Sequence, residues 1–397
     1  MGQELCKVGI IGGGPAGCAC AYFINKFNPD YKVFIIDKNP MSTILPTGGG
    51  RCNLAYAEFD FRQLAKNYPR GEKFLYSVFS KFSTSDTIDL FSELGIKTYI
   101  QDDLRVFPIS NRAKDVRDKL LDKLSHCKFI KEEALRIEAS MGYFKVVTDM
   151  NSYRFDKLVC AIGGHNDLNI IKRIGVNIVD MMPSLVGLVT KNNFSRVMGV
   201  SVKNVYNYET GMSGDVLFTH FGLSGPLIYK ISSLYARKEK PYILTFDFKK
   251  DLDNLQNILN NNPHKFIKNL LSEYLPMSLS EFILHKSGID PNTKSHLING
   301  KTRDIILENI HNFNAEIIST KKDGETVSAG GVELSKINPK TMEYREVPGL
   351  YFCGEILDID GFCGGFNLQN CWSTAYVCAT GIAENSNFIE LSRDTYL

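Results

Sequence analysis

The chain has 397 residues, 44% of them hydrophobic and 23% charged, a composition typical of a globular protein with two or three domains. Its 46 basic and 44 acidic residues give a net charge of +2, which provides no reason to expect nucleic acid or an anionic membrane as the main partner. We expect no secretory signal and no transmembrane helix, and ten cysteines without CxxC or zinc spacing predict reduced thiols in the cytoplasm and no metal site.

The first predicted elements form a strand, a glycine turn, a helix and a second strand. A short apolar run at 8–11 is typical of a buried parallel strand, and GGGPAG at 12–17 fits the pattern G-x-G-x-x-G. Residues 18–27 have helical composition, residues 32–36 are again mostly apolar, and Asp37 closes this second strand. With all these parts in register, the pattern predicts a dinucleotide-binding unit.

Each glycine of this turn has a separate physical role. Gly12 permits the tight turn, Gly14 lets a pyrophosphate approach the backbone, and Gly17 lets the helix pack against the strand. The helix N-terminus offers free N–H groups and a partial positive charge to the phosphates. Asp37 suits the two hydroxyls of an adenosine ribose. These features alone do not separate FAD from NAD.

A second glycine-rich segment, TGGGRCN at 47–53, favours FAD. It begins about ten residues after the second strand, near the sheet edge where ligands bind in this fold. Its glycines, Gly49 and Gly50 among them, would let the backbone close on the pyrophosphate and ribityl chain of a long cofactor. Arg51 could neutralise phosphate charge, and Asn53 could donate or accept a hydrogen bond.

Two later segments are predicted to return to the same cofactor. A third strand within 157–160 runs into a glycine-containing turn with Ala161 and Gly163. Near the C-terminus a strand at 350–353 leads through a polar, glycine-rich loop into a helix that we expect to run from about 367 to about 380. Its N–H groups could stabilise negative charge on a reduced flavin. The candidate positions of this loop are Gly354, Glu355, Asp358, Gly364 and Gly365.

The middle of the chain has the pattern of an inserted domain. Residues 242–248 alternate apolar and polar side chains, and 206–222 predict strands joined by glycine-containing turns. From 251 onward the spacing becomes helical, and we expect one helix through 267–275 that Pro276 stops. This region is predicted to be β-rich with a small helical cap.

These motifs together resemble the BaiN/YhiN/RdsA family of bacterial FAD-dependent oxidoreductases. The resemblance rests on TGGGRCNL (47–54), DLRVFPIS (103–110), FTHFGLSGP (218–226), SAGGVELSKINPKTME (328–343) and the segment 349–381. It implies an α/β fold: a Rossmann-like FAD domain from residues 1–183 and 321–397, an inserted β-rich, barrel-like domain at 184–250 and 312–320, and a helical cap at 251–311. One segment departs from the family: AIGGHNDLNIIKRIG (161–175) replaces a longer stretch that ends in GDGY.

The resemblance also implies non-covalent FAD and assigns its contacts by position. The assigned residues are Gly12, Gly14, Ala16, Gly17, Asp37, Lys38, Gly50, Arg51, Cys52, Asn53, Ala134, Gly354, Glu355, Asp358, Gly365, Asn367 and Leu368. Members of the family are assigned as enone reductases and as amine oxidases, so both activities stay open.

No catalytic acid or base stands out, and His220 is the candidate that we name. Because there is only one dinucleotide fingerprint, NAD(P)H is expected to visit the flavin directly, or a substrate amine or alcohol reduces the flavin and O2 reoxidises it. We expect a small-molecule substrate, bound where the insert meets the flavin ring. The alternatives are a flavoprotein acting on tRNA and a non-catalytic flavin-binding sensor or scaffold. The oligomeric state is left open.

Overall fold

The structure, a computed structural model, describes residues 5–164, 168–249, 252, 254–321 and 327–393, with side chains of the last helix as far as residue 384. The chain divides into two compact units, the first made of residues 1–182 and 327–397 and the second of residues 183–326. The predicted boundary between residues 250 and 251, and residues 165–167 of the departing segment, lie outside the described residues. No helix of the described residues is long and apolar enough to span a bilayer.

The strands and helices are numbered in chain order. The described strands are β1 (Lys7–Ile11), β2 (Lys32–Ile36), β3 (Ala55–Tyr56), β4 (Thr98–Ile100), β5 (Arg105–Pro108), β6 (Lys128–Ile130), β7 (Ala134–Ser140), β8 (Tyr143–Thr148), β9 (Ser152–Phe155), β10 (Lys157–Cys160), β11 (Ile178–Ser184), β12 (Leu188–Thr190), β13 (Ser201–Asn207), β14 (Met212–Phe218), β15 (Gly222–Ser224), β16 (Tyr242–Asp247), β17 (Phe313–Thr320), β18 (Val327–Val332) and β19 (Leu350–Phe352). The described helices are α1 (Pro15–Phe27), α2 (Phe61–Ala65), α3 (Glu72–Phe79), α4 (Thr84–Glu93), α5 (Ala113–Asp122), α6 (Asn169–Lys172), α7 (Pro226–Leu234), α8 (Leu255–Asn261), α9 (Ile267–Leu271), α10 (Met277–Lys286), α11 (Gly300–His311) and α12 (Phe366–Arg393).

The first unit is built on a five-stranded parallel sheet in the order β19-β10-β1-β2-β6. Its strands are continuous apolar runs, as expected for parallel strands covered on both faces, and Val8 and Ile10 of β1 are fully buried. Because the strands are parallel, the segments that follow β1, β2, β10 and β19 all leave from the same edge of the sheet. This edge is where doubly wound folds bind ligands.

Helices α1 and α12 pack against each other in this unit. Phe23 of α1 and Tyr376 of α12 meet edge to face, with ring centroids 5.1 Å apart. Two antiparallel sheets, β3-β5-β4 and β7-β8-β9, and the β11-β18 pair complete the unit. The predicted Rossmann-like architecture from both parts of the chain is therefore confirmed.

The second unit contains a closed six-stranded barrel in the order β12-β15-β14-β13-β16-β17. Barrel residues such as Phe246 and Phe313 share one hydrophobic core with helical residues such as Leu270 and Ile283, all of them at most 1% exposed. Closure leaves the sheet without free edges, so the short strands need no other cover. The predicted β-rich, barrel-like fold with an attached helical piece is confirmed.

Two predicted helix boundaries are wrong. The helix expected through 267–275 ends at Leu271, and Pro276 precedes α10 instead of closing α9. The residue before a proline is disfavoured in the helical region, so the chain leaves the helix before Pro276. Helix α12 continues past Gly381. A Cβ on Gly381 would lie 2.5 Å from the carbonyl oxygen of Thr341, so this glycine serves close packing rather than helix termination.

Candidate functional site

The glycine turn after β1 has the geometry that the fingerprint predicts. A Cβ on Gly12, where φ is +97°, would lie 2.4 Å from the carbonyl oxygen of Ala161, and a Cβ on Gly17 would lie 1.9 Å from that of Gly12. Both glycines are therefore required by the protein's own packing. A Cβ on Gly14, in contrast, would meet only Thr43 Oγ1 at 3.6 Å. The space beside Gly14 is thus open for a ligand.

Helix α1 begins at this turn without a side-chain cap. Gly14 is its N-cap residue, and Pro15 follows at the first helical position. The proline fits because it has no N–H to leave unpaired. The uncapped N-terminus, close to Ala16, offers backbone N–H groups and the positive end of the helix dipole to an anion.

Asp37 lies directly beside this turn. Its carboxylate accepts hydrogen bonds from the backbone N–H groups of Gly13, at 2.6 Å, and Asn39, at 2.7 Å. Each oxygen thus has one fixed donor and keeps a further lone pair. The predicted contact Lys38 forms ion pairs with Glu133, at 2.7 Å, and Asp149, at 3.1 Å. Its ammonium group is therefore already neutralised by the protein.

Ala134 starts β7, directly after the residue that pairs with Lys38, and is half-buried. The structure therefore brings Ala134 and Lys38 to one neighbourhood at the end of β2. A lysine engaged by two carboxylates is a poor phosphate ligand, so a cofactor contact at Lys38 would come from its backbone.

The glycine-rich segment after β2 turns tightly at Thr47–Gly50, with a kink at Gly48 and Gly49, and its three glycines adopt the left-handed conformation. The φ values are +57° at Gly48, +68° at Gly49 and +83° at Gly50. A Cβ on Gly49 would meet no protein atom within 4 Å, and one on Gly50 would meet only the carbonyl oxygen of Leu45, at 4.0 Å. Like Gly14, these two positions border open space.

Arg51 is held in place by two contacts. Its guanidinium carbon lies 4.2 Å from the centroid of the Phe107 ring, and its Nε donates to the carbonyl oxygen of Gly48 over 3.3 Å. Among the described residues it has no carboxylate partner. The terminal nitrogens of a positioned guanidinium suit a phosphate group.

Cys52 and Asn53 complete this segment. Cys52 is fully buried at φ +64°, and burial raises the pKa of its thiol to about 12, so it stays protonated at neutral pH. Asn53 Oδ1 is buried without a hydrogen-bond partner among the described residues. A Cβ on Gly365 would lie 2.8 Å from this oxygen. A buried polar atom without a partner is costly, and this oxygen is free to accept a hydrogen bond from a bound group.

The segment after β19 closes onto the N-terminal turn. A Cβ on Gly354 would lie 2.5 Å from the Cβ of Ala16, and the Gly354 N–H donates to Thr374 Oγ1 over 2.9 Å. Glu355 Oε1 accepts from the Ser328 N–H at 3.1 Å. A Cβ on Gly163, where φ is +74°, would lie 4.0 Å from the other Glu355 oxygen.

The loop that leads into α12 is folded tightly upon itself. Asp358 donates its backbone N–H to the carbonyl oxygen of Val332, and Asn367 exchanges two hydrogen bonds with the Gly361 backbone, at 2.8 and 3.0 Å. Gly364 has a φ of +146° and Gly365 one of +98°. Leu368, half-buried, lies in the first turn of α12.

The structure therefore brings most of the predicted contacts into one region of the first unit. We call residues 12–17, 47–53 and 354–368 together the glycine cradle. Close contacts join its three segments: Ala16 with Gly354, and Asn53 with Gly365. Ala161 and Gly163 border it through their contacts with Gly12 and Glu355.

Three long-range contacts among the described residues brace the cradle, and no sequence motif indicates the residues that form them. Arg70 forms a two-pronged ion pair with Asp360, whose side chain is fully buried, and the Tyr68 hydroxyl donates to the carbonyl oxygen of Phe366 over 2.6 Å. The Phe362 N–H donates to the carbonyl oxygen of Asn67. These partners are separated by about 290 residues along the chain, so no local pattern indicates them.

His220 belongs to the second unit. It is exposed in the turn between β14 and β15, with its ring edge-on to Phe221 at a centroid distance of 5.1 Å. A hydrogen bond from the Thr219 N–H to the Gly222 carbonyl, at 2.8 Å, shapes this turn. The catalytic role of His220 stays a prediction.

Comparison with known proteins gives relatives over almost the whole chain. The ribosomal RNA dihydrouridine synthase of Escherichia coli is 29% identical, covering 93% of this chain and 96% of that protein. The 3-dehydro-bile acid delta(4,6)-reductase of Clostridium scindens is 28% identical, covering 95% and 99%. Among solved structures, the 3-ketosteroid delta1-dehydrogenase of Sterolibacterium denitrificans has a TM-score of 0.50 at 11% identity, covering 96% of this chain and 100% of that one.

The likeness to the 3-ketosteroid delta1-dehydrogenase structure concerns the fold alone, since the two sequences are only 11% identical. The family described as HI0933-like protein Rossmann domain matches residues 6–381, nearly the entire chain. The resemblance inferred from the motifs is thereby confirmed, and this chain belongs to that family of FAD-dependent oxidoreductases.

Proposed function

We propose that this protein is a flavin-dependent reductase that saturates a carbon–carbon double bond conjugated with a carbonyl group. The observation that carries the proposal is the chemistry common to its two named relatives. Dihydrouridine is uridine with its 5,6 double bond reduced, and that bond is conjugated with a ring carbonyl. A delta(4,6)-reductase of a 3-dehydro bile acid acts on double bonds conjugated with the 3-oxo group. Electron-poor double bonds of this kind accept a hydride.

We propose that the glycine cradle holds FAD. The support comes from two kinds of observation: open space beside Gly14, Gly49 and Gly50, and the unpartnered buried oxygen of Asn53. In this assignment the N-terminus of α1 binds the pyrophosphate and Asp37 the adenosine ribose. When bound, FAD supplies the hydride-transfer chemistry. The protein's own part is to bind the cofactor, orient it and restrict the access of water.

We assign the remaining predicted contacts to the same cofactor. Arg51 would neutralise phosphate charge from its position on the Phe107 ring. The first turn of α12 would present N–H groups and a partial positive charge that favour a reduced, negatively charged ring. The free state of all ten cysteines supports a reducing, cytoplasmic setting.

An Arg51→Met variant is expected to bind FAD about 10- to 100-fold more weakly, because a charge-assisted hydrogen bond to phosphate contributes about 1.5–3 kcal/mol. The measurement is a titration of the apoprotein with FAD, followed by the quenching of flavin fluorescence. Arg105→Met is the matched control, since Arg105 lies over the same Phe107 ring at 5.6 Å but is ion-paired with Asp103. Equal affinities in the two variants would remove Arg51 from the cofactor site.

The reaction class is tested with substrates that differ only in conjugation. Anaerobic protein is reduced with NADPH or NADH, or with dithionite if neither bleaches the flavin, and is then mixed with 2-cyclohexenone or cyclohexene. We expect 2-cyclohexenone to reoxidise the flavin and cyclohexene to leave it reduced, since only the enone has an activated double bond. Equal behaviour of the two compounds would contradict the proposal. Bleaching by amines alone, with hydrogen peroxide formed in air, would establish an amine oxidase instead.

Two substrate classes of different size are candidates: a small molecule and a uridine within RNA. The net charge of +2 favours a small molecule, and the ribosomal RNA named for two relatives favours a uridine within RNA. A 3-oxo-Δ4 steroid and a uridine-containing RNA fragment are therefore offered to the reduced protein in parallel. The substrate that reoxidises the flavin at the lower concentration identifies the class.

A further inference from the structure

Three cysteine thiols meet inside the first unit. Cys20 lies in α1, Cys353 directly follows β19, and Cys378 lies in α12. Their Sγ atoms all lie within 4.8 Å of one another, and each side chain is fully buried. We call these residues the thiol triad. Because its members come from three elements, no spacing in the sequence indicates the triad, and the sequence alone therefore predicts no metal site.

The triad has nearly the dimensions of a three-sulfur coordination site. The three sulfurs lie at most 4.8 Å apart, so a central atom in their plane is at most about 2.8 Å from each, and a metal–thiolate bond is about 2.3 Å long. A movement of about half an ångström or less by each sulfur therefore brings all three into bonding distance of one central atom. Rotation about the Cα–Cβ bond of a cysteine achieves such a movement without a change in the backbone.

The surroundings of the triad limit the charge that it can hold. All three side chains are fully buried, so a charge left on any of the sulfurs would be poorly solvated. An occupant must displace thiol protons, and the product must carry little net charge, since an uncompensated buried charge is costly.

We propose that the thiol triad binds a trivalent thiophilic element of the arsenite class. In the described residues the group has three ligands, whereas tetrahedral zinc requires four. Three thiolates with zinc would leave one negative charge, and with monovalent copper two. Trivalent arsenic bound to three thiolates is neutral, and its lone pair takes the fourth position.

The binding reaction balances without an oxidant or reductant. Arsenous acid, As(OH)3, reacts with three thiols so that three As–O bonds break, three As–S bonds form and three water molecules leave. The three thiol protons depart with the hydroxyl groups, and arsenic and sulfur keep their oxidation states. Thiolate sulfur is the soft ligand that such an element prefers.

The triad lies next to the glycine cradle. Cys353 precedes Gly354, whose N–H donates to Thr374 Oγ1, one turn before Cys378 in α12. Cys20 lies in the helix that begins at the cradle. Arsenic bound at the triad therefore restrains the positions of α1, α12 and Cys353. We expect this restraint to alter cofactor binding. That expectation rests on the proposed function, whereas the arsenic site itself does not.

The test is to express the protein in cells grown with arsenite, so that the site fills while the chain folds, and to examine the purified protein by native mass spectrometry. We expect one arsenic per chain, with a mass increase of one arsenic atom less three hydrogens. X-ray absorption at the arsenic edge should give three sulfur neighbours. Absence of bound arsenic from the wild-type protein, or two sulfur neighbours, would overturn the proposal.

Single variants identify the ligands. Cys20→Ser, Cys353→Ser and Cys378→Ser are each expected to lose the three-sulfur signal. Cys127→Ala is the matched control, since this thiol is buried and burial raises its pKa to about 12, but it is not part of the triad. Circular dichroism verifies that each variant is folded. Retention of the signal in all three folded serine variants, or its loss in Cys127→Ala, would place the arsenic elsewhere.

Discussion

A Gly49→Val variant is expected to purify without bound flavin, whereas the wild-type protein is expected to absorb at roughly 450 nm, a property of the oxidised cofactor. Position 49 has a φ of +68°, and a Cβ there meets no protein atom within 4 Å. The added side chain therefore occupies space that we assign to the cofactor. The measurement is the ratio of the absorbance at 450 nm to that at 280 nm in protein purified with excess FAD.

A control is needed because valine is also strained in the left-handed region, by about 1–3 kcal/mol. Gly95→Val provides it, since Gly95 has a φ of +77° and likewise no protein atom within 4 Å of its Cβ position. It lies after α4, outside the glycine cradle. We expect Gly95→Val to keep its flavin. A Gly49→Val protein with full flavin content would mean that the loop does not approach the cofactor.

The second large effect is expected from Arg70→Met, which should lower the free energy of unfolding by about 3–5 kcal/mol. The substitution removes the guanidinium group that pairs with Asp360, whose carboxylate is fully buried. The measurement is urea denaturation at neutral pH, followed by circular dichroism. Because Asp360 lies within the glycine cradle, FAD affinity should fall as well.

Two further variants separate the buried ion pair from a general loss of charge. Lys26→Met breaks the pair with Glu93, whose side chains are 44% and 50% exposed, and should cost less than about 1 kcal/mol. The double variant Arg70→Met/Asp360→Leu should recover part of the stability, since it removes both charges. If Arg70→Met costs no more than Lys26→Met, the brace does not stabilise the cradle.

The parts of the fold that could be predicted depend on contacts between near neighbours in sequence. The strand–turn–helix at 7–27 is one example, because periodicity and three glycines define it within some twenty residues. The tight turn expected at Gly12 and the close packing expected at Gly17 agree with the space found around them, and the role of Gly14 stays a prediction. The contact of Gly17 with Gly12 lies within this turn and is local, whereas the contact of Gly12 with Ala161 joins two distant segments of the chain.

The parts that could not be predicted depend on long-range contacts. The brace joins Arg70 to Asp360, and the thiol triad joins Cys20 to Cys353 and Cys378, in each case across hundreds of positions. Gly381 demonstrates the same limit, since a glycine that packs against Thr341 looks, in sequence, like a helix terminator. Lys38 was assigned to the cofactor by position, and only the structure places two carboxylates on its ammonium group.

The order of the parallel sheet has a consequence for biosynthesis. Strand β19 is the outermost strand of the five-stranded sheet, next to β10, and the cradle segment at 354–368 follows it. During translation the ribosome releases the turn at 12–17 and the loop at 47–53 some three hundred residues before the segment that closes over them. The nascent chain therefore carries an incomplete glycine cradle through most of its synthesis, and the cofactor capture that we propose for the cradle has to follow the emergence of α12.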